Sequence, residues 1–461
     1  MALTGKEISQ MHAKNVAATW GKSGNEARPI KTAKGVYLYD YDGNEIADAC
    51  SLLVCSNLGH GLPEIIEAIK KQADQLCYTA PGYATEAKST LAAKLLNLAG
   101  PEHFKRVFFS VSGSDSNETA IRIARLYTGR TKIFSAHKSY HGATLGSSNA
   151  SGDWRRFAAE VGGPNGFVKF KNPYLYADGW NKGEEKQATR FYLRLLEEQL
   201  RYEGPENVAA IMMESVVGSN GVLVPPEGYM EGVRALCDKY GILMICDEVM
   251  NGFARTGKMF GWQNFDIVPD MFTFAKGVTS AYIPLGGVMM SEKISRFSEE
   301  VGLQCGLTYS GHTLACAAAN AAVDYYVEHD ICEHVQEVGA YVAEWEERMA
   351  EKHACVGEVR HIGLLTIFDL VKDKKTREPL DVYGGKHEIR AQAEKKLEYE
   401  YNMHMYGREN TLLFAPPLII TKEELDAFFP KIDAILSWID EQLETVEKDP
   451  DYTTLIGMTR I

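Results

Sequence analysis

Two short apolar runs, each followed at once by a charged residue, most constrain the fold of this chain. The first run, Leu243–Cys246, ends in Asp247, and the second, Met271–Ala275, ends in Lys276. Continuous apolar runs of this length are typical of strands that are buried on both faces of a parallel sheet. Because open α/β sheets bind their ligands beyond the carboxyl ends of the strands, we expect Asp247 and Lys276 to share one site.

This pair of side chains indicates a particular cofactor chemistry. A lysine can form a Schiff base with an aldehyde, and an aspartate can keep a pyridine nitrogen protonated. Asp247 and Lys276 are therefore predicted to be catalytic residues that hold pyridoxal phosphate (PLP). Taken singly, each residue leaves an alternative open. A lysine after a strand is usually solvated, and an acidic pair such as Asp247–Glu248 also suits Mg²⁺ in a phosphoryl-transfer site.

The composition is that of a globular enzyme and argues against several kinds of partner. The chain has 461 residues, of which 45% are hydrophobic and 24% are charged, so two or more domains are expected. A net charge of −13 without a basic cluster argues against nucleic acid and membrane partners, and no run reaches the length of a membrane span. The nine cysteines include no Cys-x-x-Cys and no zinc-ligand pattern, which favours reduced thiols. The N-terminus shows no apolar leader, so a cytoplasmic location is expected.

Three regions are predicted along the chain. Residues 1–60 form an N-terminal segment with a small β-unit, and residues 61–328 form a large domain in which helical patterns alternate with short apolar runs. Residues 329–461 form a smaller α+β domain that shares its sheet with the N-terminal segment. Residues 155–187, rich in Gly, Asn, Lys and Tyr, are predicted to be a long surface excursion. The predicted strands of the large domain are 107–109, 132–135, 208–213, 243–246, 271–275 and 287–290.

A phosphate site and supports for a flat ring are predicted at the other strand ends. The stretch Ser112–Glu118 opens a helix, so Gly113 and Ser114 can offer N–H and hydroxyl groups to a phosphate. An ordinary helix cap would contain the same residues, and this alternative stays open. Tyr140 suits stacking on a ring, and Val249 suits its opposite face. The other candidates are Glu214, which ends a strand, and Thr308, which lies in a Gly-rich loop suited to a second phosphate contact.

The chain resembles the class III aminotransferases, enzymes of PLP fold type I, because it has the motifs of that family in the same order. The matching stretches are Ser112–Ala120, Tyr140–Gly142, Asp247–Val249, Gly252–Gly257, Ala275–Gly277, Pro284–Gly287 and Thr308–His312. The resemblance implies an α/β fold with a large domain, whose mostly parallel sheet lies between helices. It also implies a smaller α+β domain formed by the N- and C-terminal segments. PLP would be the cofactor, with Lys276 as its Schiff-base lysine and Asp247 as the partner of its pyridine nitrogen.

The resemblance further implies how the cofactor is held. Tyr140 and Val249 would sandwich the ring, and Gly113 and Ser114 would contact the phosphate. Thr308 would reach the phosphate from the neighbouring subunit. A homodimer with shared active sites is therefore expected, and pairing of dimers into a tetramer stays open.

Within the family, the chain is most similar to ω-amino acid–pyruvate transaminases that act on taurine or β-alanine. The similarity rests on Ala18–Trp20, Glu214–Val222 and Gly407–Pro417. Such enzymes carry an arginine, here Arg408, that binds the acidic group of the substrate, and a guanidinium suits a carboxylate or a sulfonate. The candidates for the remaining walls of the substrate pocket are Trp20, Leu53 and Tyr83.

The expected reaction moves the terminal amino group of a small acidic ω-amine to pyruvate by a ping-pong mechanism. Pyruvate is expected because Ser219 stands where glutamate-using relatives often carry a glutamate that masks the arginine. Without that mask, Arg408 would stay open throughout the cycle. Met250 also stands where some members have a glutamine. The alternatives are a 2-oxoglutarate transaminase, a broad amine–pyruvate transaminase and, in another reaction class, a PLP-dependent aminomutase.

Overall fold

A large, mostly parallel sheet forms the centre of the computed structural model, which describes residues 3–160, 166–385 and 387–459. The strands of the described ranges, which belong to this sheet and to two smaller ones, are β1 (Ile30–Lys34), β2 (Tyr37–Asp40), β3 (Glu45–Asp48), β4 (Phe104–Ser110), β5 (Lys132–Ala136), β6 (Phe167–Phe170), β7 (Val208–Glu214), β8 (Leu243–Asp247), β9 (Met271–Phe274), β10 (Gly286–Ser291), β11 (Val356–Ile362), β12 (Leu365–Asp373), β13 (Glu378–Pro379), β14 (Met403–His404), β15 (Tyr406–Arg408) and β16 (Thr411–Phe414).

Helices of very different length connect these strands. The α-helices are α1 (Gly5–Asn15), α2 (Ser51–Val54), α3 (Pro63–Gln75), α4 (Glu86–Ala99), α5 (Gly113–Thr128), α6 (Leu145–Ala150), α7 (Phe157–Glu160), α8 (Leu175–Asp178), α9 (Glu185–Glu203), α10 (Tyr229–Tyr240), α11 (Glu292–Glu300), α12 (Thr313–Glu328), α13 (Ile331–Lys352), α14 (Glu388–Tyr399), α15 (Lys422–Leu443) and α16 (Leu455–Thr459). Short 3-10 helices cover Trp154–Arg156, Pro205–Asn207, Gly261–Asn264 and Lys276–Val278. Within the described ranges, no helix combines the length and the apolar character that a membrane span requires.

The central sheet has the strand order β4-β10-β9-β8-β7-β5-β6. The strands from β9 to β6 pair in parallel, whereas β10 runs antiparallel to both of its neighbours. Every residue of β7 and β8 is buried, because helices cover both faces of the sheet. This burial explains why the two strands are continuous apolar runs in the sequence. The predicted α/β architecture with a mostly parallel sheet is confirmed.

Successive residues of β7 show how the two faces of the sheet are covered. Ala210 and Met212 belong to a hydrophobic cluster that includes Ile123 of helix α5. Ile211 and Met213, which point the other way, belong to the larger cluster that includes residues of α9 and α10. The alternation follows from the two-residue period of a strand. The sheet is therefore a rigid layer between helices, and its strand ends hold their side chains in fixed positions.

The register of the parallel strands aligns their carboxyl ends. Glu214, the last residue of β7, pairs with Asp247, the last residue of β8. Asp247 pairs in turn with Thr273 of β9, and Lys276 follows shortly after the end of that strand. Because ligands of such sheets bind beyond these ends, the register brings an amine and two carboxylates to one edge.

Both ends of the chain contribute to a smaller α+β unit. Strand β14 pairs in parallel with β3 in a sheet of order β1-β2-β3-β14, and a second sheet has the order β11-β12-β16-β15. Buried Arg255 ties the unit to the large one by donating to the carbonyls of Leu364 and Pro416 and to the side chains of Ser51 and Asn57. The expected small unit formed by both ends is confirmed, while the boundaries predicted after residues 60 and 328 stay a prediction.

Two elements differ from the sequence prediction. The region 155–187, predicted to be a surface excursion, contains β6, which extends the central sheet as the parallel neighbour of β5. It also contains α7, α8 and the beginning of α9, and its residues 161–165 lie outside the described ranges. Strand β6 has only four residues at the edge of the sheet, so its apolar run is too short to stand out. Strand β1, an exposed edge strand paired with β2, was also missed for lack of an apolar pattern.

Candidate active site

A cavity of about 510 Å³ lies beyond the carboxyl ends of β7, β8 and β9. Most of the residues predicted from the sequence to form the site line this single cavity. They are Gly113, Ser114, Tyr140, Glu214, Asp247, Val249, Lys276, Arg408, Trp20 and Leu53. Residues from the large unit and from the small unit therefore meet at one place.

The carboxylate of Asp247 is buried and is surrounded by hydrogen-bond donors. Its Oδ2 accepts a hydrogen bond from Asn117 Nδ2 and contacts His141 Nδ1, both at 2.7 Å. Its Oδ1 accepts from the backbone N–H of Val249 at 3.0 Å. Asn117 is itself held by the hydroxyl of Thr273, which donates to its Oδ1 at 2.6 Å. These contacts fix the orientation of the carboxylate and stabilise its negative charge, as a partner of a protonated ring nitrogen requires.

Lys276 occupies a strained turn directly after β9. Its φ of +45° lies in the left-handed region, which costs a residue other than glycine on the order of 1–3 kcal/mol. The hydroxyl of Tyr326 holds this turn by donating to the carbonyl of Gly277 at 2.9 Å. Burial lowers the pKa of the Lys276 amine, and the nearby carboxylate of Asp247 partly opposes this shift. A lowered pKa increases the neutral fraction of the amine, which is the form that attacks an aldehyde.

Glu214 is a second buried carboxylate beside Asp247. Its Oε1 accepts from the backbone N–H of Tyr140 at 3.0 Å, and its Oε2 accepts from that of Gly218 at 2.7 Å. Burial, together with the charge of Asp247, raises the pKa of Glu214 to about 7. Glu214 therefore fixes the backbone of Tyr140, the residue predicted to stack on the cofactor ring.

The N-terminus of α5 offers donors for a phosphate. The first N–H groups of a helix have no partner inside the helix, so those of Gly113 and Ser114 are available to an anion. Ser112 caps this helix by accepting from the backbone N–H of Asp115 at 3.2 Å. Gly142 closes the same corner with a φ of +135°, and a Cβ there would lie 2.4 Å from Ser114 Oγ. This corner therefore admits only a glycine, which leaves room for a phosphate beside Ser114.

Val249 and Tyr140, which are predicted to lie on either side of the cofactor ring, both line the cavity. A Cβ on Gly113 would lie 2.8 Å from Val249 Cγ1, so the glycine allows the helix to approach this side chain closely. The guanidinium of Arg155 lies over the Tyr140 ring, 3.4 Å from its centroid. Arg155 also lines the cavity and was not predicted from the sequence.

Arg408 lies on the cavity and is paired with a carboxylate there. The expectation, drawn from Ser219, that Arg408 stays open throughout the cycle stays a prediction. Nη1 of Arg408 forms an ion pair with Oδ2 of Asp153, which is fully buried and also binds Arg155. Asp153 therefore supplies, from another part of the chain, the negative partner that Ser219 lacks. Burial lowers the pKa of Arg408, and the positive charge of Arg155 lowers it further.

The turn that carries Arg408 connects β15 and β16 and crosses from the small unit to the cavity. The residue after it, Glu409, accepts a hydrogen bond from Lys138 Nζ at 2.9 Å. The next residue, Asn410, donates to the buried carboxylate of Asp369. Consecutive side chains of this turn are thus anchored on both sides, which fixes the position of the Arg408 guanidinium.

Two predicted residues, Thr308 and Tyr83, do not line the cavity of their own chain. Both are exposed, and the backbone carbonyl of Thr308 accepts a hydrogen bond from the hydroxyl of Tyr78 at 2.7 Å. Trp20 and Leu53 line the cavity and are also largely exposed, with 60% and 48% of their surface accessible. The roles of these four residues stay predictions.

The structure adds four residues that the sequence interpretation missed: Asn117, His141, Asp153 and Arg155. Asn117 lies one helical turn after Gly113 and Ser114, and this spacing could have identified it as a residue on the same face of α5. His141 directly follows Tyr140 and could have been found by its position. Asp153 and Arg155 carried no signal in the sequence, because their place on the cavity depends on packing against Arg408, which is distant along the chain.

These residues fit PLP in kind and in placement. The cavity provides an amine at Lys276, an oriented carboxylate at Asp247, helix N–H donors at Gly113 and Ser114, and an aromatic face at Tyr140. When bound, PLP supplies an electron sink that makes a C–H bond beside the substrate nitrogen acidic.

Comparisons with known proteins agree with this site. The sequence profile of the family described as aminotransferase class-III matches residues 21–436. The structure of taurine:2-oxoglutarate aminotransferase from Bifidobacterium kashiwanohense, in complex with PLP and glutamate, is 57% identical with a TM-score of 0.95, and the match covers 96% of this chain and 100% of that chain. The diaminobutyrate–2-oxoglutarate transaminase of Halomonas elongata is 34% identical over 435 residues, which are 90% of this chain and 91% of that protein.

A putrescine–pyruvate aminotransferase of Pseudomonas aeruginosa is 33% identical over 410 residues, which are 87% of this chain and 88% of that protein. The predicted fold type I and the predicted cofactor, PLP, are confirmed by these matches. The chain therefore belongs to the class III aminotransferases.

Proposed function

We propose that this enzyme transfers the terminal amino group of a small acidic ω-amine, such as taurine or β-alanine, to a keto acid. The proposal is carried by the position of Arg408, which lines the same cavity as Lys276. A guanidinium and a reactive amine on one cavity suit a substrate that carries both an acid group and an amine. The 57% identity to a taurine:2-oxoglutarate aminotransferase supports this substrate class.

We favour 2-oxoglutarate as the acceptor, in place of the pyruvate expected from the sequence. The expectation of pyruvate depended on an unmasked Arg408, whereas Asp153 binds this guanidinium. The taurine aminotransferase at 57% identity uses 2-oxoglutarate by name, and its structure contains glutamate. Pyruvate stays the second candidate, because the relative from Pseudomonas aeruginosa is a putrescine–pyruvate aminotransferase.

Three residues of the cavity, Asp247, Lys276 and Arg408, have distinct parts in the proposed reaction. Asp247 holds the proton of the pyridine nitrogen through its fixed carboxylate. Lys276, once its amine is free, acts as the general base that removes and returns a proton at the carbon beside the substrate nitrogen. Its lowered pKa keeps part of the amine neutral, as a base requires. Arg408 orients the acid group so that this carbon faces Lys276.

We also propose a homodimer in which Thr308 and Tyr83 complete the cavity of the neighbouring subunit. The proposal is supported by their exposure and by their absence from the lining of their own cavity. Exposed aromatic residues, Tyr309 among them, lie in the same surface region and suit a buried interface. A cytoplasmic location is proposed because all nine cysteines are free.

A half-reaction screen tests the proposed substrates. Purified holoenzyme is mixed with taurine, β-alanine, γ-aminobutyrate or propylamine, and conversion of the cofactor to its aminated form is followed by absorbance. We expect taurine or β-alanine to react at lower concentrations than propylamine. Reaction with propylamine but with none of the acidic amines would contradict the proposal.

The second half of the screen tests the acceptor and the reaction class. The aminated enzyme is mixed with 2-oxoglutarate or pyruvate, and recovery of the original spectrum is measured. Faster recovery with pyruvate would restore the expectation from the sequence. Isomerisation of an amine without any keto acid would instead support an aminomutase.

A further inference from the structure

A buried cluster of polar side chains joins the small unit to the large one. Its centre is Asp369 on β12, which is 1% exposed. Oδ2 of Asp369 accepts from Arg360 Nη1 on β11 at 2.7 Å and from the hydroxyl of Tyr174. Its Oδ1 accepts from Asn410 Nδ2. None of these four residues is among the described residues that line the cavity. One buried carboxylate thus collects side chains from three separate segments of the chain.

Asn410 connects this cluster to the residue proposed to bind the acid group. It lies two residues after Arg408, between β15 and β16. Its side chain donates to Asp369, and its backbone carbonyl accepts from the N–H of Leu370 at 2.6 Å. Two hydrogen bonds to adjacent residues of β12 therefore hold the turn that carries Arg408.

Arg360 connects the same cluster to another part of the cavity wall. Its Nε donates to the backbone carbonyl of Gly221 at 2.9 Å. The N–H of Gly221 donates to the carbonyl of Gly218 at 3.2 Å, which closes a short loop. Ser219, which lies in this loop, lines the cavity, and the N–H of Gly218 donates to Glu214 at 2.7 Å. Arg360 therefore holds the wall segment that begins at Glu214.

The shape of the Arg360 guanidinium makes this connection stiff. Its Nε serves Gly221, while its Nη1 serves Asp369 and Glu358. The group also lies over the ring of Tyr174, 4.8 Å from the centroid. Because a guanidinium is planar and its N–H groups are fixed relative to one another, a shift of one partner is passed to the others.

We propose that Arg360 and Asp369 are positioning residues that fix Arg408 relative to the wall segment at Ser219. A substrate with an acid group and an amine reacts well only when Arg408 lies at the correct distance from the reactive centre. An amine without an acid group is indifferent to that distance. Arg360 and Asp369 therefore determine the preference for acidic amines without lining the cavity. The inference rests on the proposed function, in which Arg408 receives the acid group.

Asn410→Ala tests the connection on the side of Arg408, because it leaves the ion pair between Asp369 and Arg360 in place. The acid preference is defined as kcat/KM for taurine divided by kcat/KM for propylamine, which has no acid group. We expect this ratio to fall about fivefold or more, with kcat/KM for propylamine within about twofold of the wild type. Calorimetry should show that ethanesulfonate, an unreactive acid, binds the holoenzyme more weakly by a similar factor. An unchanged ratio or an unchanged ethanesulfonate affinity would overturn the inference.

Arg360→Lys tests the other side and decides the matter if Asn410→Ala does not fold. A lysine keeps the positive charge beside Asp369 but lacks the planar fork that also reaches Gly221. We expect the acid preference to fall about threefold or more, and an unchanged preference would overturn the inference. Because both changes break one connection, the double variant should resemble the more affected single variant. Effects of the two changes that multiply in the double variant would contradict a single connection and overturn the inference.

Tyr174→Phe is the matched control. It removes another hydrogen bond to the carboxylate of Asp369 and keeps the ring beside Arg360, but Tyr174 links the cluster to neither part of the wall. The acid preference should stay within about twofold of the wild type. A fall as large as that of Asn410→Ala would show that general loosening of the cluster is responsible, and would overturn the inference. The proposed function fails by a different result, which is an unchanged acid preference in Arg408→Ala.

Discussion

Glu214 and Asp247 are direct neighbours in the central sheet, each as the last residue of its strand. Two adjacent buried carboxylates repel each other when both are ionised. Among the residues that the structure describes, Asp247 has Asn117, His141 and a backbone N–H as partners, whereas the carboxylate of Glu214 accepts two backbone hydrogen bonds. Burial and the charge of Asp247 raise the pKa of Glu214 to about 7, so Glu214 takes up a proton near neutral pH.

Replacing Glu214 by glutamine is expected to change how the stability of the cofactor-free protein depends on pH. The folded pKa of about 7 lies above the ordinary value of 4.5, so the folded state binds this proton more tightly than the unfolded state. The contribution of Glu214 to stability is therefore full below the ordinary pKa and is lost as the pH rises toward the folded pKa. The loss is at most roughly 3 kcal/mol.

Melting temperatures at about pH 5 and about pH 7.5 check this expectation, because they bracket the titration of Glu214. The wild type should lose more stability between the two pH values than Glu214→Gln does. Equal losses in both proteins would show that Glu214 titrates outside this range.

Lys276→Ala is expected to remove the visible absorbance of the bound cofactor and essentially all turnover. The amine of Lys276 is the reactive group on the cavity beside Asp247, so its loss removes the covalent attachment and the general base together. Absorbance spectra and alanine or glutamate formation measure the two losses. Lys70→Ala, at an exposed position on α3, should behave as the wild type does. Turnover retained by pure Lys276→Ala would refute the assignment.

Arg408→Ala is expected to weaken acidic substrates and to spare uncharged amines. A hydrogen bond to a charged group contributes about 1.5–3 kcal/mol, which corresponds to roughly a 10- to 100-fold rise in KM for taurine. The variant should fold, because Asp153 keeps its ion pair with Arg155. Steady-state kinetics with taurine and propylamine measure the difference. Equal losses for both amines would remove Arg408 from the role of acid receptor.

The strands of the large unit could be predicted because full burial makes them continuous apolar runs. The predicted strands 243–246 and 271–275 end within one residue of the ends of β8 and β9. Strand β6 was missed because four edge residues that include Lys169 do not form such a run. Position in the sheet, rather than propensity, makes these residues a strand.

The site was predictable where adjacent residues in the sequence act together, and was not where distant segments meet. Asp247 ends β8 and Gly113 follows the end of β4 by three residues, so their place at the sheet edge follows from the strands themselves. The ion pair between Asp153 and Arg408 joins residues 255 positions apart and depends on how two units pack. No local pattern encodes that packing, so the ion pair could not be predicted from the sequence.

His353→Asn is expected to destabilise the protein more at low pH than at high pH. The imidazole lies between helices α13 and α15, with Nδ1 2.7 Å from Asp440 Oδ2 and Nε2 2.7 Å from Asp433 Oδ1. Burial alone would lower the pKa of His353, but the two carboxylates outweigh burial and raise it above its ordinary value of 6.5. The stabilisation is therefore fully present below the ordinary pKa and is lost as the pH rises through the folded pKa.

Urea unfolding at about pH 6 and about pH 9 measures this effect, because the ordinary pKa of 6.5 lies between the two conditions and the folded pKa lies above it. The variant should lose roughly 2 kcal/mol at the lower pH and clearly less at the higher pH. A difference that does not change with pH would show that His353 is neutral in the folded protein.

Mixed dimers are expected to recover activity that neither parent has, if Thr308 completes the neighbouring cavity. Thr308 is exposed and does not line the cavity that contains Lys276 of its own chain. In Thr308→Asp, a negative charge would repel the cofactor phosphate of the neighbouring subunit, and Lys276→Ala lacks the reactive amine. A mixed dimer of the two variants contains one cavity with both native residues, so purified mixed dimers should show about half of the wild-type turnover.

Two different affinity tags isolate the mixed species after coexpression. Full activity of Thr308→Asp alone, or an inactive mixed dimer, would contradict shared sites, because in either case Thr308 would not act on the neighbouring subunit.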